Sequence, residues 1–238
     1  YIEYIEVNDS ITITSNDEQV YINRIENKNN TNALFLNNLN MDIYDKDGLN
    51  KMHITAKGNI NILNSDIDLT AVNTKSNGIE SYDNVVIDNS KVKVMYSVTA
   101  WDNMTINKSE VYALGNRDKY IYGNIEANNE KMTITDSKVT ADYRITAKLD
   151  FVITNSTVTS INYAVESYKA ALTIIDSEVD ADYEIYCGTD LIIKNSKVDV
   201  REKNNSSNVG YIQLGGSLVM EDSLLQLSKY VSAKKNVS

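Results

Sequence analysis

The sequence predicts an all-β protein folded as a right-handed parallel β-helix, a solenoid of about nine coils with three short strands each and an N-terminal cap. Three observations predict it. One segment recurs eight times along the chain. Inside each copy apolar and polar residues alternate, and the alternation slips by one at an Asn/Asp–Ser pair in seven of the eight copies. The 238 residues also include no proline, nine glycines and 31 asparagines. Globular chains average roughly 5% proline and 7% glycine. This chain must turn on something else, and asparagine tolerates left-handed dihedrals and bonds its own backbone.

Residues 1–33 do not fit the repeat, and YIEYIEV with SITIT is expected to form a capping layer over the first coil edge. The coils are assigned to 34–227 and a C-terminal tail to 228–238, all within one domain. A degenerate copy, LFLNNLNMDI, starts at Leu34 with Leu39 in the serine slot. The full copies begin with INILNSDIDL at Ile60 and VVIDNSKVKV at Val85 and end with LVMEDSLLQL at Leu218. Their serines fall at 65, 90, 109, 137, 156, 177, 196 and 223. Alternation marks the segment before each serine as a first strand and the segment after it as a second, each with one buried face. A one-residue slip flips every side chain unless the chain bends, so the Asn/Asp–Ser pair is read as a corner with the serine turned inward.

A third strand precedes each copy, marked by an aliphatic residue such as Ile54, Ile79, Val98 or Ile125, followed two positions later by a mostly small one such as Ala56, Ser81, Ala100 or Ala127. Three short strands per unit, with like stacking on like, is the signature of a parallel solenoid. Serine spacings from 19 to 28 residues argue against a strict hexapeptide helix. Extra length enters between the second and third strands, as YDKDGLNKMH (44–53), TAVNTKSNG (70–78), LGNRDKYIYGN (114–124) and REKNNSSNVGY (201–211). Loops on a rigid scaffold are where function concentrates.

Composition excludes several classes. A hydrophobic content of 42% with 24% charged residues is too apolar for disorder. No run of about 18 apolar residues exists, so no membrane span is expected. A net charge of -10 argues against nucleic acid as a partner. The single cysteine, Cys187, excludes an internal disulfide or a thiolate zinc cluster, and the single histidine, His53, leaves little room for histidine chemistry. Cys187 falls in the small inward column. His53 precedes inward Ile54, so its side chain is expected to point outward.

Tyr96, Tyr143, Tyr163 and Tyr183 share a slot two residues before the third-strand aliphatic, where a stack closes the core edge. Tyr82, Trp101 and Tyr168 each follow the small inward residue and are expected to face out. They are the candidate ligand-binding residues, because an aromatic ridge can stack on the apolar face of a sugar ring. A partly covered surface aromatic is the alternative. The outward slot after the serine reads Asp66, Lys91, Glu110, Lys138, Thr157, Glu178, Lys197, a solvated face of mostly alternating sign. Asp42, Asp45 and Asp47, the last followed by Gly48, are the candidate metal ligands, with calcium the one candidate ion and no other cofactor expected. A plain Asp-Gly β-turn explains the same residues.

The stacked NS-x-V strands with irregular third turns resemble right-handed β-helices of the pectin-lyase-like superfamily. More loosely, the alternation of I-x-A or I-x-S with hxIxNSxV is similar to carbohydrate-binding β-helix domains of bacterial surface proteins. The resemblance covers about residues 34–227 and implies a secreted or cell-surface protein that engages polysaccharide. Hydrolases of this fold carry NTD, Asp-Asp, GHG and RIK motifs, none of which occurs in the chain. Lyases need an acidic calcium cluster beside an Arg or Lys base. Arg144 faces out from its third strand, but the sequence shows no acidic cluster around it. The expectation is a non-catalytic extracellular or surface module, carbohydrate-binding or adhesive. A polysaccharide lyase or hydrolase acting through the inserted loops, and a purely structural stalk, are the alternatives.

Overall fold

The computed structural model describes residues 1–15, 18–43, 53–70, 78–201 and 210–237. The chain is a right-handed parallel β-helix built of three parallel sheets. Sheet 1, from the first strands of the repeat, and sheet 2, from the second strands, hold ten strands each, and sheet 3, from the third strands, holds eleven. At ~4.8 Å per strand, eleven strands make a rod about 48 Å long. The region expected to form a capping layer instead supplies a further coil: Ile5–Val7, Ile11–Ile13 and Gln19–Tyr21 each pair in parallel with the following coil, one strand in each sheet. Among the described residues no helix is long and apolar enough to cross a membrane.

Register follows the columns. Ile62 pairs with Ile87, Ile87 with Ile106, and Ile106 with Ile134 on sheet 1. Ile67, Val92, Val111 and Val139 stack on sheet 2, and Ile54, Ile79, Val98 and Ile125 on sheet 3. All of these are fully buried. No coil covers its own apolar face, so the core is a set of stacked aliphatic rows. Cys187 lies in the small sheet-3 column, paired with Ser167 and Leu214, and is buried as expected.

The corner between sheets 1 and 2 has a left-handed residue at every copy, with φ between 45° and 50° at Asn38, Asn64, Asn89, Lys108, Asp136, Asn155, Asp176, Asn195 and Asp222. Such dihedrals cost an ordinary side chain about 1 kcal/mol or more but are cheap for Asn and Asp. The turn brings the next serine inward, where its hydroxyl does two jobs. Ser137 Oγ accepts the Ser109 amide at 3.0 Å and donates to the Thr135 carbonyl at 2.6 Å. The same pattern runs from Ser65 to Ser223. Corner amides that no sheet ladder could satisfy are thus paired by the neighbouring coil.

His53 departs from expectation. It is completely buried, and its Nδ1 contacts the Asn23 carbonyl of the preceding coil. Strand parity holds only inside an extended strand, and His53 lies in the corner before Ile54–Ala56. There the chain is still turning, and consecutive residues 53 and 54 both bury.

Candidate functional site

The outer face of sheet 3 carries the most distinctive surface of the rod. Its central outward column reads Glu80, Thr99, Glu126, Thr146, Glu166, Tyr186, Gln213 in register. A column at the turn beyond the sheet holds Lys57, Tyr82, Trp101, Asn128, Lys148 and Tyr168. Each amide from Tyr82 onward bonds the carbonyl one coil back, as Tyr82 does to Ala56 and Trp101 to Ser81, both at 2.9 Å. At the opposite edge stands a tyrosine ladder, Tyr122, Tyr143, Tyr163, Tyr183, Tyr211 and Tyr230, with ring centroids 4.5–5.7 Å apart. The face is therefore a floor of Thr and Glu between two aromatic borders.

Tyr82, Trp101 and Tyr168 are exposed as expected, at 55%, 40% and 54%. Tyr82 and Trp101 stack with centroids 5.5 Å apart and planes 5° from parallel. Trp101 Nε1 donates to Glu80 Oε1 at 3.2 Å, which fixes the indole. Each ring covers one face of the other. Tyr82 also lines a hollow of about 490 Å³ with Asn30, Lys57 and Asp83, in which Trp101 takes no part. Tyr168 stands three coils from Trp101, about 14 Å along the axis. It leans against Tyr186 at 5.9 Å, and Lys148 Nζ lies 4.7 Å from its ring centroid. The three expected ligand residues thus form a pair and a separate single on one column.

Between these aromatics lies a hollow of about 240 Å³, lined by Asn128, Arg144, Thr146, Lys148, Glu166 and Tyr168. Arg144 does have acidic neighbours, contrary to the sequence reading. Its Nε is 3.9 Å from Glu126 Oε1, and its charge also opposes the upward shift of Glu166. Its guanidinium lies 5.5 Å from the Tyr143 centroid and 5.7 Å from that of Tyr163. Burial pushes the carboxyls of Glu126, Glu166 and Glu184 above the usual carboxylate range. Arg144 opposes the shift at Glu126 and Glu166, while the charge of Glu166 adds to it at Glu126 and Glu184. The acids sit on different coils, far apart in sequence. The signal for Glu126 and Glu166 was an aliphatic–Glu–small triplet, at 125–127 and 165–167, which places the acid outward; Glu184 sits one position earlier, before Ile185, and no such triplet marks it.

The corner between sheets 1 and 2 offers a hollow of about 490 Å³ lined by Lys108, Glu110, Asp136, Lys138, Asp176 and Glu178. It mixes both signs and has no aromatic ring among its lining residues, which suits a solvated face. The expected column from Asp66 to Lys197 is in register along sheet 2, and beyond the hollow Lys197 Nζ meets Glu178 Oε1 at 2.5 Å. Asp42 is half-buried at the end of Asn40–Asp42, its Oδ1 accepting the Ile43 amide at 2.7 Å. Asp45 and Asp47 lie outside the described residues. Among the described residues no three of His, Cys, Asp and Glu group to hold a metal ion.

Comparison with known proteins gives no relative: no family, no curated protein and no solved structure matches the chain.

Proposed function

We propose that this chain is a non-catalytic extracellular or cell-surface module that binds carbohydrate along the outer face of sheet 3. It fits the resemblance to pectin-lyase-like β-helices. The observation that carries the reading is the Tyr82–Trp101 stack, whose exposed Tyr82 also lines a hollow with Asn30, Lys57 and Asp83. An apolar ring face beside amide, ammonium and carboxylate groups matches a pyranose, which has one apolar face and a rim of hydroxyls. Coil spacing of ~4.8 Å is close to the length of one sugar in an extended polymer, so successive rows can meet successive sugars. A glycan array followed by calorimetry, with and without calcium at Asp42, Asp45 and Asp47, tests this reading. Saturable binding lost in Tyr82→Ala supports it; no binding to any glycan overturns it.

Hydrolysis is the second reading, favoured by one observation. Glu126 and Glu166 stand in one outward column two strands apart, ~9.6 Å between Cα atoms. An inverting mechanism needs two carboxyl groups, one to protonate the leaving oxygen and one to activate water, and two acids in one column are the pair this face offers. Burial favours the protonated form that a general acid needs. New reducing ends from plant, algal or host polysaccharides, abolished in Glu166→Gln, would establish this activity in place of simple binding.

A further inference from the structure

We propose that the outer face of sheet 1 is a dimer interface, on which a second copy of the chain packs with its long axis antiparallel. The face is free of long loops. Each sheet-1 strand from Ile60–Leu63 to Leu218–Glu221 is entered by a turn of three or four residues and left by a two-residue corner. Its middle is also free of charge. Between the rows of Asp88 and Lys194 one outward column reads Thr105, Thr133, Val152, Thr173, and the other Asn107, Thr135, Thr154, Ile175. No charged side chain stands in either, although 24% of the chain is charged. Most of these residues are β-branched and stiff, so covering them costs little rotamer freedom.

The charges around this face meet their opposites about a single two-fold axis. The axis lies in the plane of the face, along the strands, between the paired rows of Thr135 and Thr154. Each column then faces its own copy in reverse order. Asp88, two rows before Thr135, comes opposite Lys194, two rows after Thr154. Both are held by the next coil, Asp88 by Asn107 at 2.6 Å and Lys194 by Glu221 at 3.0 Å. On the corner rim Lys108 comes opposite Asp176. On the rim where the strands start, Lys131 comes opposite Asp150. These two already pair within each copy at 3.2 Å, so the dimer closes them into a cluster of four charges. The remaining acids of these rows meet neutral groups: Asp136 faces Asn155, Asp190 faces Asn84, Glu221 faces Leu63 and Asp222 faces Asn64. Sliding the second copy by one row either way would set Lys131 against Lys131 or Asp150 against Asp150, which fixes the register.

The face is also large enough. Eight rows at ~4.8 Å, each six residues wide at ~3.3 Å per residue, give about 750 Å² per copy. A standard stable interface buries about 800 Å² per partner. Packed face to face like the sheets of a sandwich, Val86 lies against Ile192, Thr105 against Thr173 and Thr133 against Val152. A two-fold contact uses the same patch on both copies, so assembly closes at two. It uses none of the sheet-3 residues that carry the carbohydrate reading, so either can fail without the other.

Sedimentation equilibrium of the 238-residue chain tests the proposal. The expected mass rises with concentration from one copy to two and stops there. Asp88→Lys and Lys194→Glu change only outward side chains, and each sets like charges together at both ends of the face. Each variant alone is expected to dimerise at least ~10-fold more weakly than wild type. Mixed one to one, the two variants restore opposite charges at both positions, and the mixture is expected to recover the two-copy species. A mass of one copy at every concentration, growth beyond two copies, single variants that dimerise like wild type, or a mixture that stays monomeric would each overturn the proposal.

Discussion

Single residues at the corner between sheets 1 and 2 decide whether the solenoid closes. Lys108 is the one copy that places neither Asn nor Asp at that corner, yet it adopts φ 46° like the rest. Lys108→Asn should therefore stabilise the chain by up to about 1 kcal/mol, read from urea midpoints, because the strain is relieved with no packing lost. Ser137→Ala should cost about 1–3 kcal/mol, since the buried Ser109 amide loses its acceptor. Burial pushes the Cys187 thiol well above its ordinary range. It should stay inert to thiol reagents in the folded chain and react fully once the chain is unfolded. The corner was legible because one physical demand, a left-handed residue followed by an inward hydroxyl, recurs at every copy. His53 was misread because it occurs once, at a bend where strand parity gives no guidance.

At the scale of elements, sheets 1 and 2 were readable and the outer face of sheet 3 was not. Inward columns repeat one residue type and announce themselves. The outward column of sheet 3 alternates Glu and Thr, with Arg144 one position aside, so only pairing in three dimensions brings Glu126, Arg144 and Glu166 together. Tyr143, Tyr163 and Tyr183 were readable as a stack. Tyr122, Tyr211 and Tyr230 join it from slots one residue out of step, where loops of different length re-enter the sheet.

These buried acids give the chain a defined response to pH. Glu126, Glu166 and Glu184 have folded pKa values above the unfolded ones, so the folded chain holds their protons more tightly. Their contribution to stability rises as pH falls from neutral through the folded values, and the gain is complete below the ordinary carboxylate value. Asp68 runs the other way. Burial pushes it up, but hydrogen bonds from Thr70 and Lys93 outweigh burial and hold it low, so its contribution is lost as pH falls through its folded value. Glu184→Gln should therefore flatten the acid-side gain, seen as a smaller rise in urea midpoint between neutral pH and pH ~5. A midpoint profile unchanged from wild type would show that Glu184 does not titrate in this range.

The whole molecule is a stiff rod whose long axis carries in-register rows and whose proline-free sequence follows from that design. Proline cannot donate to a sheet ladder, and nearly every strand here is flanked on both sides. A rod presenting repeated rows along one face suits an extended polymer better than a compact ligand, which is why the aromatic border of sheet 3 carries the functional reading. Trp101 is the only tryptophan in the chain, so its fluorescence reports that border with no competing signal. Titrating the protein with extended glycans while following Trp101 emission is the most direct measurement. The expected result is a saturable change in intensity or wavelength with at least one polymer, abolished in Tyr82→Ala. Emission that no glycan perturbs, or a change that survives Tyr82→Ala intact, would contradict it.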